Sequence, residues 1–319
     1  MPEAPRALRV LVVGAGAIGA FYGGVLSRAG CAVSAVVRSD FDAIARDGFR
    51  IDSHLGELSW RPAQTVRSGD EYRGRPDLVL VCLKLTASTD PVALIGPALG
   101  PDTAIVLVAN GIDVEAPLAA AFPDHELVSG IAYAAVSRDG PGRIRHHSQF
   151  TRLVLGRYPQ GSSATAGRLV ELLKRGGSSG AATDDIAGAR WQKCAWNSVL
   201  NPISALGGGL GTRDMLGGEL TTRFVREAIG EFSAIAAAAG HSLPPDTAEK
   251  LIAGTLKLPN YVSSMGQDFL AGRPMETEAL LGNVMRIARE HGVDAPRLET
   301  LYALLRMAEQ RAAADTAAA

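Results

Sequence analysis

The chain has 319 residues, 47% of them hydrophobic and 20% charged, with a formal net charge of −1. That length suits two domains with sizeable cores, and the even charge balance excludes a nucleic-acid binder, which needs a basic surplus. Three widely spaced cysteines, Cys31, Cys82 and Cys194, form neither a disulfide framework nor a zinc site, so a reducing cytoplasm and no metal are expected.

Leu8 to Val13 is a valine-rich apolar run, too short for a core helix, and reads as a strand buried on both faces. Gly14, Gly16 and Gly19 follow at G-x-G-x-x-G spacing, and from Ile18 the pattern turns helical. Gly14 permits the tight turn, Gly16 lets the backbone approach a pyrophosphate, and Gly19 lets the helix close onto the strand. With Ala15, Ala17 and Ile18 these residues form a candidate phosphate cradle, where free N–H groups and the helix dipole favour an anion. After a second strand, Ala32 to Val37, stands Arg38 followed by Ser39, where a free ribose 2′-hydroxyl would call for Asp or Glu. The cation suits a 2′-phosphate, so NADP(H) is expected over NAD(H). The alternative is a solvated surface arginine, and Asp40 and Asp42 lie close by.

A short helix is predicted at Phe41–Asp47, then strands between Gly48 and Trp60 joined by a turn at Leu55–Gly56. Asp77 to Leu83 is another apolar strand, delivering Lys84 at the edge where ligands of open α/β sheets bind. Asp90–Leu99 reads as helix, and Thr103–Ala109 as a buried strand ending in Asn110–Gly111. Lys84 and Asn110 are either turn residues or cofactor contacts, and their shared edge favours the latter. Strands are expected at Glu126–Ala135 and Thr151–Gly156, with an exposed basic hairpin carrying Arg143, Arg145, His146 and His147 between them. Ser163–Arg175 is a helix, and the Gly/Ser/Ala-rich passage after it holds at most one more strand.

The domain boundary is placed near Asp184. Beyond it the apolar period is helical, with helices expected at 186–206, 222–239, 246–256, 260–271, 276–291 and 297–314. Gly240 and Gly292 sit where helix C-caps belong, and Pro296 opens the last helix. No apolar run reaches the roughly eighteen residues of a membrane span, and the first strand begins too early to leave a signal peptide.

The first helix past the boundary contains WQKCAWNSVLNPISAL. Lys193, Asn197 and Asn201 recur every four residues and share one stripe. One amine and two amides between apolar flanks are costly unless something polar meets them, so the stripe is expected to line a site. Pro202 removes a helical donor there and is expected to kink or weaken the helix. Further on, SSMGQDFLAGRPMETEALLG supplies Ser263, Ser264 and a helix-start carboxylate, Glu276. There is no S-x-x-K, G-x-S-x-G or HExxH motif, so hydrolase chemistry has no visible nucleophile or metal.

GAGAIG with its following GG, the strand ending LVCLK, the later Asn-Gly, WxKxxxNSxxNPxSAL and SSMxQDxxxGRPxExExLxG together resemble the 2-dehydropantoate 2-reductase (ketopantoate reductase) family. The resemblance covers nearly the whole chain. It implies an α/β protein with an N-terminal Rossmann-type parallel-sheet domain (1–184) that binds NADP(H), followed by an all-helical substrate domain (185–319). It implies NADPH-dependent reduction of 2-dehydropantoate to pantoate, as in pantothenate and coenzyme A biosynthesis, in the cytoplasm.

By position, Lys193 would be the catalytic lysine with Glu276 beside it and the cofactor, while Asn197, Asn201 and Ser264 would bind substrate. Arg38, Lys84 and Asn110 would contact the cofactor. Tyr261 departs from the pattern, standing where some members have a substrate-contacting Asn, with Asn260 displaced by one. Val136 and Ala109 depart too, and together these leave the exact substrate open: another bulky 2-keto acid or an imine is the alternative. A non-catalytic NADP-binding regulator is disfavoured by the intact lysine, asparagines, serine and glutamate. The expected partner is a small molecule, not nucleic acid or membrane, and a homodimer is open.

Overall fold

A computed structural model describes residues 6–318. It falls into two compact units. The first holds the chain up to Lys84, Thr89–Ala109 and Glu115–Ile186. The second holds Leu85–Ser88, Asn110–Val114 and the chain from Ala187.

In the first unit, β1 (Arg9–Val13), β2 (Ala32–Val36), β3 (Phe49–Asp52), β4 (Leu58–Trp60), β5 (Thr65–Val66), β6 (Leu78–Val81), β7 (Ala104–Val108), β8 (Leu127–Arg138), β9 (Arg143–Arg157) and β10 (Gly180–Ala182) form one 10-stranded sheet. Its order is β4-β3-β9-β8-β7-β6-β1-β2-β5, with β10 added beside β9. All pairs are parallel except β3–β4 and β8–β9. Val10 and Val12 lie in one apolar cluster with Leu78, Leu80, Val106 and Val108, while their alternates Leu11, Val13, Val79, Val81, Ile105 and Leu107 are as deeply buried. Both faces are therefore covered, and that is why Val10–Val13 of β1 and the whole of β6 and β7 are apolar.

Helix α1 (Ala17–Arg28) packs on β1 and also on β3 and β4. A Cβ at Gly23 or Gly24 would meet Trp60, Ile51 or Leu58 at 2.8–2.9 Å, so the glycine pair sets how closely the helix approaches the sheet. Helices α2 (Phe41–Asp47), α3 (Pro91–Ile95), α4 (Ala116–Ala121) and α5 (Ala164–Arg175) complete this unit.

One expectation is corrected here. Arg143, Arg145, His146 and His147 are not a connecting hairpin but the first half of β9, which pairs with β3 on one side and β8 on the other. The turn lies earlier, at Gly140–Gly142, where both glycines have positive φ. Ile144 and His146 alternate inward while Arg143, Arg145 and His147 stay exposed. His146 packs against Phe21 at 4.8 Å between ring centroids. Its Nε2 lies 2.9 Å from the Phe150 carbonyl and its Nδ1 2.9 Å from Ser53 Oγ. A carbonyl only accepts, so Nε2 carries the proton and Nδ1 accepts from the serine.

Burial, with His54 and His147 nearby, lowers the pKa of His146. The unfolded chain therefore binds this proton more readily, and stability is lost as pH falls below the ordinary value of 6.5. For one proton the loss accrues at no more than about 1.4 kcal/mol per pH unit. We expect the thermal midpoint of the wild type to fall more between pH 7.5 and 5 than that of His146→Gln, as followed by differential scanning calorimetry.

The second unit is helical: α6 (Ile186–Leu206), α7 (Glu219–Ala238), α8 (Thr247–Lys257), α9 (Ser264–Leu270), α10 (Asn283–Glu290) and α11 (Pro296–Ala318). Trp191, Val199, Phe232, Leu281, Leu298 and Leu305 anchor its core. α6 runs unbroken through Pro202. α9 starts at Ser264 rather than Asn260, because Ser263 is extended and its Oγ accepts from Gly266 N (3.1 Å) as the N-cap. The helix expected from Glu276 instead opens with a π-helical turn, Glu278–Gly282, before α10. Among the described residues no helix is long and apolar enough to cross a membrane, and no group of three or more His, Cys, Asp or Glu side chains is arranged to hold a metal ion.

Candidate active site

Two sets of residues carry chemistry, one in each unit. In the first unit the chain leaves β1 into Gly14, which has φ +91° and whose Cβ would lie 2.7 Å from the Cys82 carbonyl. A Cβ at Gly19 would sit 2.3 Å from Gly14 O. Gly16 differs, since a Cβ there meets nothing within 4 Å. Gly16 is the N-cap of α1; among the described residues no side chain caps that helix, and no acidic residue lies in its first turn. The first-turn N–H groups of Ala17, Ile18 and Gly19 are thus left for an external anion. An open space over a glycine, facing an uncapped helix start, fits the pyrophosphate of a dinucleotide.

At the tip of β2, Arg38 is exposed. The neighbouring acids do not neutralise it: Asp40 is bound by Arg138 at 2.5 Å and Asp42 pairs with Arg67 at 3.5 Å. Lys84 is exposed just beyond β6.

The second set is built on α6. Lys193 Nζ donates to Asn110 Oδ1 at 2.9 Å, and Asn197 Nδ2 reaches the same oxygen at 3.4 Å. The loop carrying Asn110 is fixed from three sides. Arg190 donates to Gly111 O (3.1 Å), Ile112 N donates to Ala279 O (2.9 Å), and Asn283 Nδ2 donates to Ile112 O (2.8 Å). Ser198 Oγ donates to Leu280 O at 2.7 Å, which seats the π-helical turn on α6. Glu276, just ahead of that turn, accepts from Leu85 N at 3.2 Å. Asn201 is 2% exposed and its Oδ1 has no hydrogen-bond partner among the described residues, a costly state for a buried acceptor.

Burial lowers the Lys193 pKa from 10.5 to about 8. The Arg190 charge pushes the same way, and Cys194 and Glu276 pull it back up. An ammonium poised near neutrality suits proton donation and stabilisation of an oxyanion.

Of the residues singled out in the sequence, Lys193, Asn197 and Asn110 meet directly, and Glu276 acts on Lys193 through its charge. Ser264 stands exposed at the first residue of α9. Asn110, expected to touch a cofactor, also accepts the hydrogen bond of the Lys193 ammonium. Sequence reading missed the Leu85 amide, which has no side-chain signature, and Arg190, whose place one turn before Lys193 was the available signal.

Residues 10–160 match the family model for ketopantoate reductase PanE/ApbA, and residues 185–309 match its C-terminal model. The crystal structure of 2-dehydropantoate 2-reductase from Methylococcus capsulatus superposes with a TM-score of 0.90 at 47% identity, covering 96% of this chain and 98% of that one. The enzyme of that name from Geobacter metallireducens gives 0.88 at 30% identity, covering 94% and 100%. The Nostoc 2-dehydropantoate 2-reductase is 28% identical over 94% of this chain and 95% of its own. The chain is an oxidoreductase that uses a nicotinamide dinucleotide, and it belongs to the ketopantoate reductase family.

Proposed function

We propose that this enzyme reduces 2-dehydropantoate to pantoate with NADPH. The observation that carries the reading is the half-buried Lys193 ammonium, held by Asn110 and brought near neutrality by burial. The dinucleotide, when bound at Gly14–Gly19, supplies the hydride for the C2 carbonyl. Lys193 donates a hydrogen bond to the carbonyl oxygen, stabilises the charge that develops there and transfers its proton, leaving a neutral amine that solvent reprotonates. Asn110 Oδ1 fixes the ammonium, and the Glu276 charge favours the protonated form. Asn197 and Asn201 offer an amide donor and an unpartnered acceptor on the same stripe to the polar end of a 2-oxo acid, and Ser264 adds a hydroxyl for its carboxylate.

NADPH is favoured over NADH because Arg38 stands just past the end of β2 while both nearby acids are paired with other arginines. The test follows nicotinamide absorbance with a panel of 2-oxo acids and each cofactor. We expect turnover of 2-dehydropantoate with NADPH. Arg38→Ala is expected to weaken NADPH binding by about 1–3 kcal/mol and to leave NADH nearly unchanged, as for a charge-assisted phosphate contact. Equal affinity of the wild type for both cofactors would refute the assignment.

A further inference from the structure

Arg190 lies on α6 three residues ahead of Lys193, so the two side chains are neighbours, with Cβ atoms about 5–6 Å apart. It is 4% exposed, and its Nη1 donates to Gly111 O at 3.1 Å. Gly111 leaves that carbonyl little freedom. Its φ is +109°, and a Cβ there would lie 2.4 Å from Ala279 O, so backbone packs on backbone. The next carbonyl, Ile112 O, is taken by Asn283 Nδ2 from α10 at 2.8 Å, and Arg286 of the same helix pairs with Asp113. Side chains of two helices thus hold the loop that presents Asn110 Oδ1 to the Lys193 ammonium.

The two carbonyl anchors differ in charge. Asn283 uses a neutral amide, whereas Arg190 brings a buried cation, whose lost hydration costs more than that of a neutral donor. What a neutral donor could not add is a positive field at Lys193. The other groups bearing on the ammonium are Cys194 on α6, Glu276 ahead of the π-helical turn, and the uncharged amide of Asn110. Among these Arg190 joins burial in lowering the Lys193 pKa, while Cys194 and Glu276 raise it.

Resting on the reading that Lys193 is the proton donor of a 2-oxo acid reductase, we infer that Arg190 is a positioning residue for that proton transfer. It anchors the Asn110 loop through Gly111 O, and its charge makes the Lys193 proton easier to give up. The two effects are separable by pH. Loosening the loop alone takes an acceptor from the ammonium, which lowers the alkaline limb of kcat/KM or leaves it in place. Removing the cation raises it.

The test follows NADPH oxidation with 2-dehydropantoate as a function of pH. Arg190→Gln keeps a donor, Arg190→Met suits an apolar interior, and both remove the charge. Each is expected to lower kcat about 10- to 100-fold, as Asn110 and Lys193 lose their fixed geometry, and to raise the limb by about half a unit to one unit. Arg190→Lys keeps the charge and is expected to hold the limb within about 0.3 unit of wild type, with kcat within about tenfold. Asn283→Ala loosens the same loop without touching a charge, and is expected to slow turnover with a limb no higher than that of the wild type. If whichever neutral variants fold keep the wild-type kcat or fail to raise the limb, the inference is overturned while the reductase reading stands. A limb raised as much by Arg190→Lys or Asn283→Ala overturns it too. If neither neutral variant folds, as read by calorimetry, Arg190 serves the fold and the inference is likewise overturned. If wild type binds NADPH and reduces no 2-oxo acid, the reductase reading itself falls.

Discussion

Lys193→Ala is expected to lower kcat by about 10²–10⁴-fold, the usual contribution of a positioned proton donor. NADPH affinity, measured by fluorescence titration, is expected to stay near that of the wild type, because the phosphate cradle is built by Gly14–Gly19. The variant is also expected to fold, since a desolvated ammonium is no net stabiliser of the helix that carries it. The pH dependence gives a second, sharper reading. With the pKa brought to about 8 by burial, the ammonium is the major form at pH 7 and is lost as pH rises. Wild-type kcat/KM is therefore expected to fall through an alkaline limb near pH 8, not near 10.5. Lys193→Arg keeps the charge and the polar contact with Asn110 but holds its proton at every accessible pH. It is expected to be slow and to show no such limb. A folded Lys193→Ala enzyme with near wild-type kcat would make the lysine structural.

The first unit is legible because a strand covered on both faces must be apolar, and Val10–Val13 of β1, β6 and β7 are apolar throughout. The glycine spacing then fixed the order strand, turn, helix. The length of α6 and the stripe along it follow from helical period alone. Four features are not legible, each for a physical reason. The first half of β9 is mostly polar and its alternation rests on Ile144 and His146, so only its pairing with β3 and β8 marks it as strand.

The Lys193–Asn110 bond spans 83 residues and joins a helix to a loop, and no local pattern encodes such a distance. The contact between Glu276 and the Leu85 amide uses backbone, which every residue carries. The π-helical turn at Glu278–Gly282 is likewise a tertiary product. Its carbonyls serve Ser198 and Ile112, partners that no window of sequence around Glu278 contains.

The glycines of the cradle offer the other large effect, because the same substitution separates folding from binding at two positions a few residues apart. At Gly16 the backbone is extended, with φ −75° and ψ −156°, and an added Cβ meets nothing within 4 Å. Gly16→Ala is therefore expected to keep the wild-type thermal midpoint within about a degree, the effect of well under 0.5 kcal/mol in a chain this long. A methyl on the side where the backbone must approach a pyrophosphate is nevertheless expected to cost about 1–3 kcal/mol of dinucleotide affinity, roughly 5- to 150-fold. Gly19→Ala reverses the pattern. Its Cβ would lie 2.3 Å from Gly14 O and 3.0 Å from a Val12 methyl, both parts of the packed strand and turn. Neither neighbour is the free end of a flexible side chain, so α1 must move off β1, at a cost of about 3 kcal/mol in stability. Calorimetry and NADPH titration on the two variants read the two effects independently. Wild-type NADPH affinity in Gly16→Ala would remove the phosphate from this loop, and an unshifted midpoint in Gly19→Ala would show that the helix does not need its close approach to the strand.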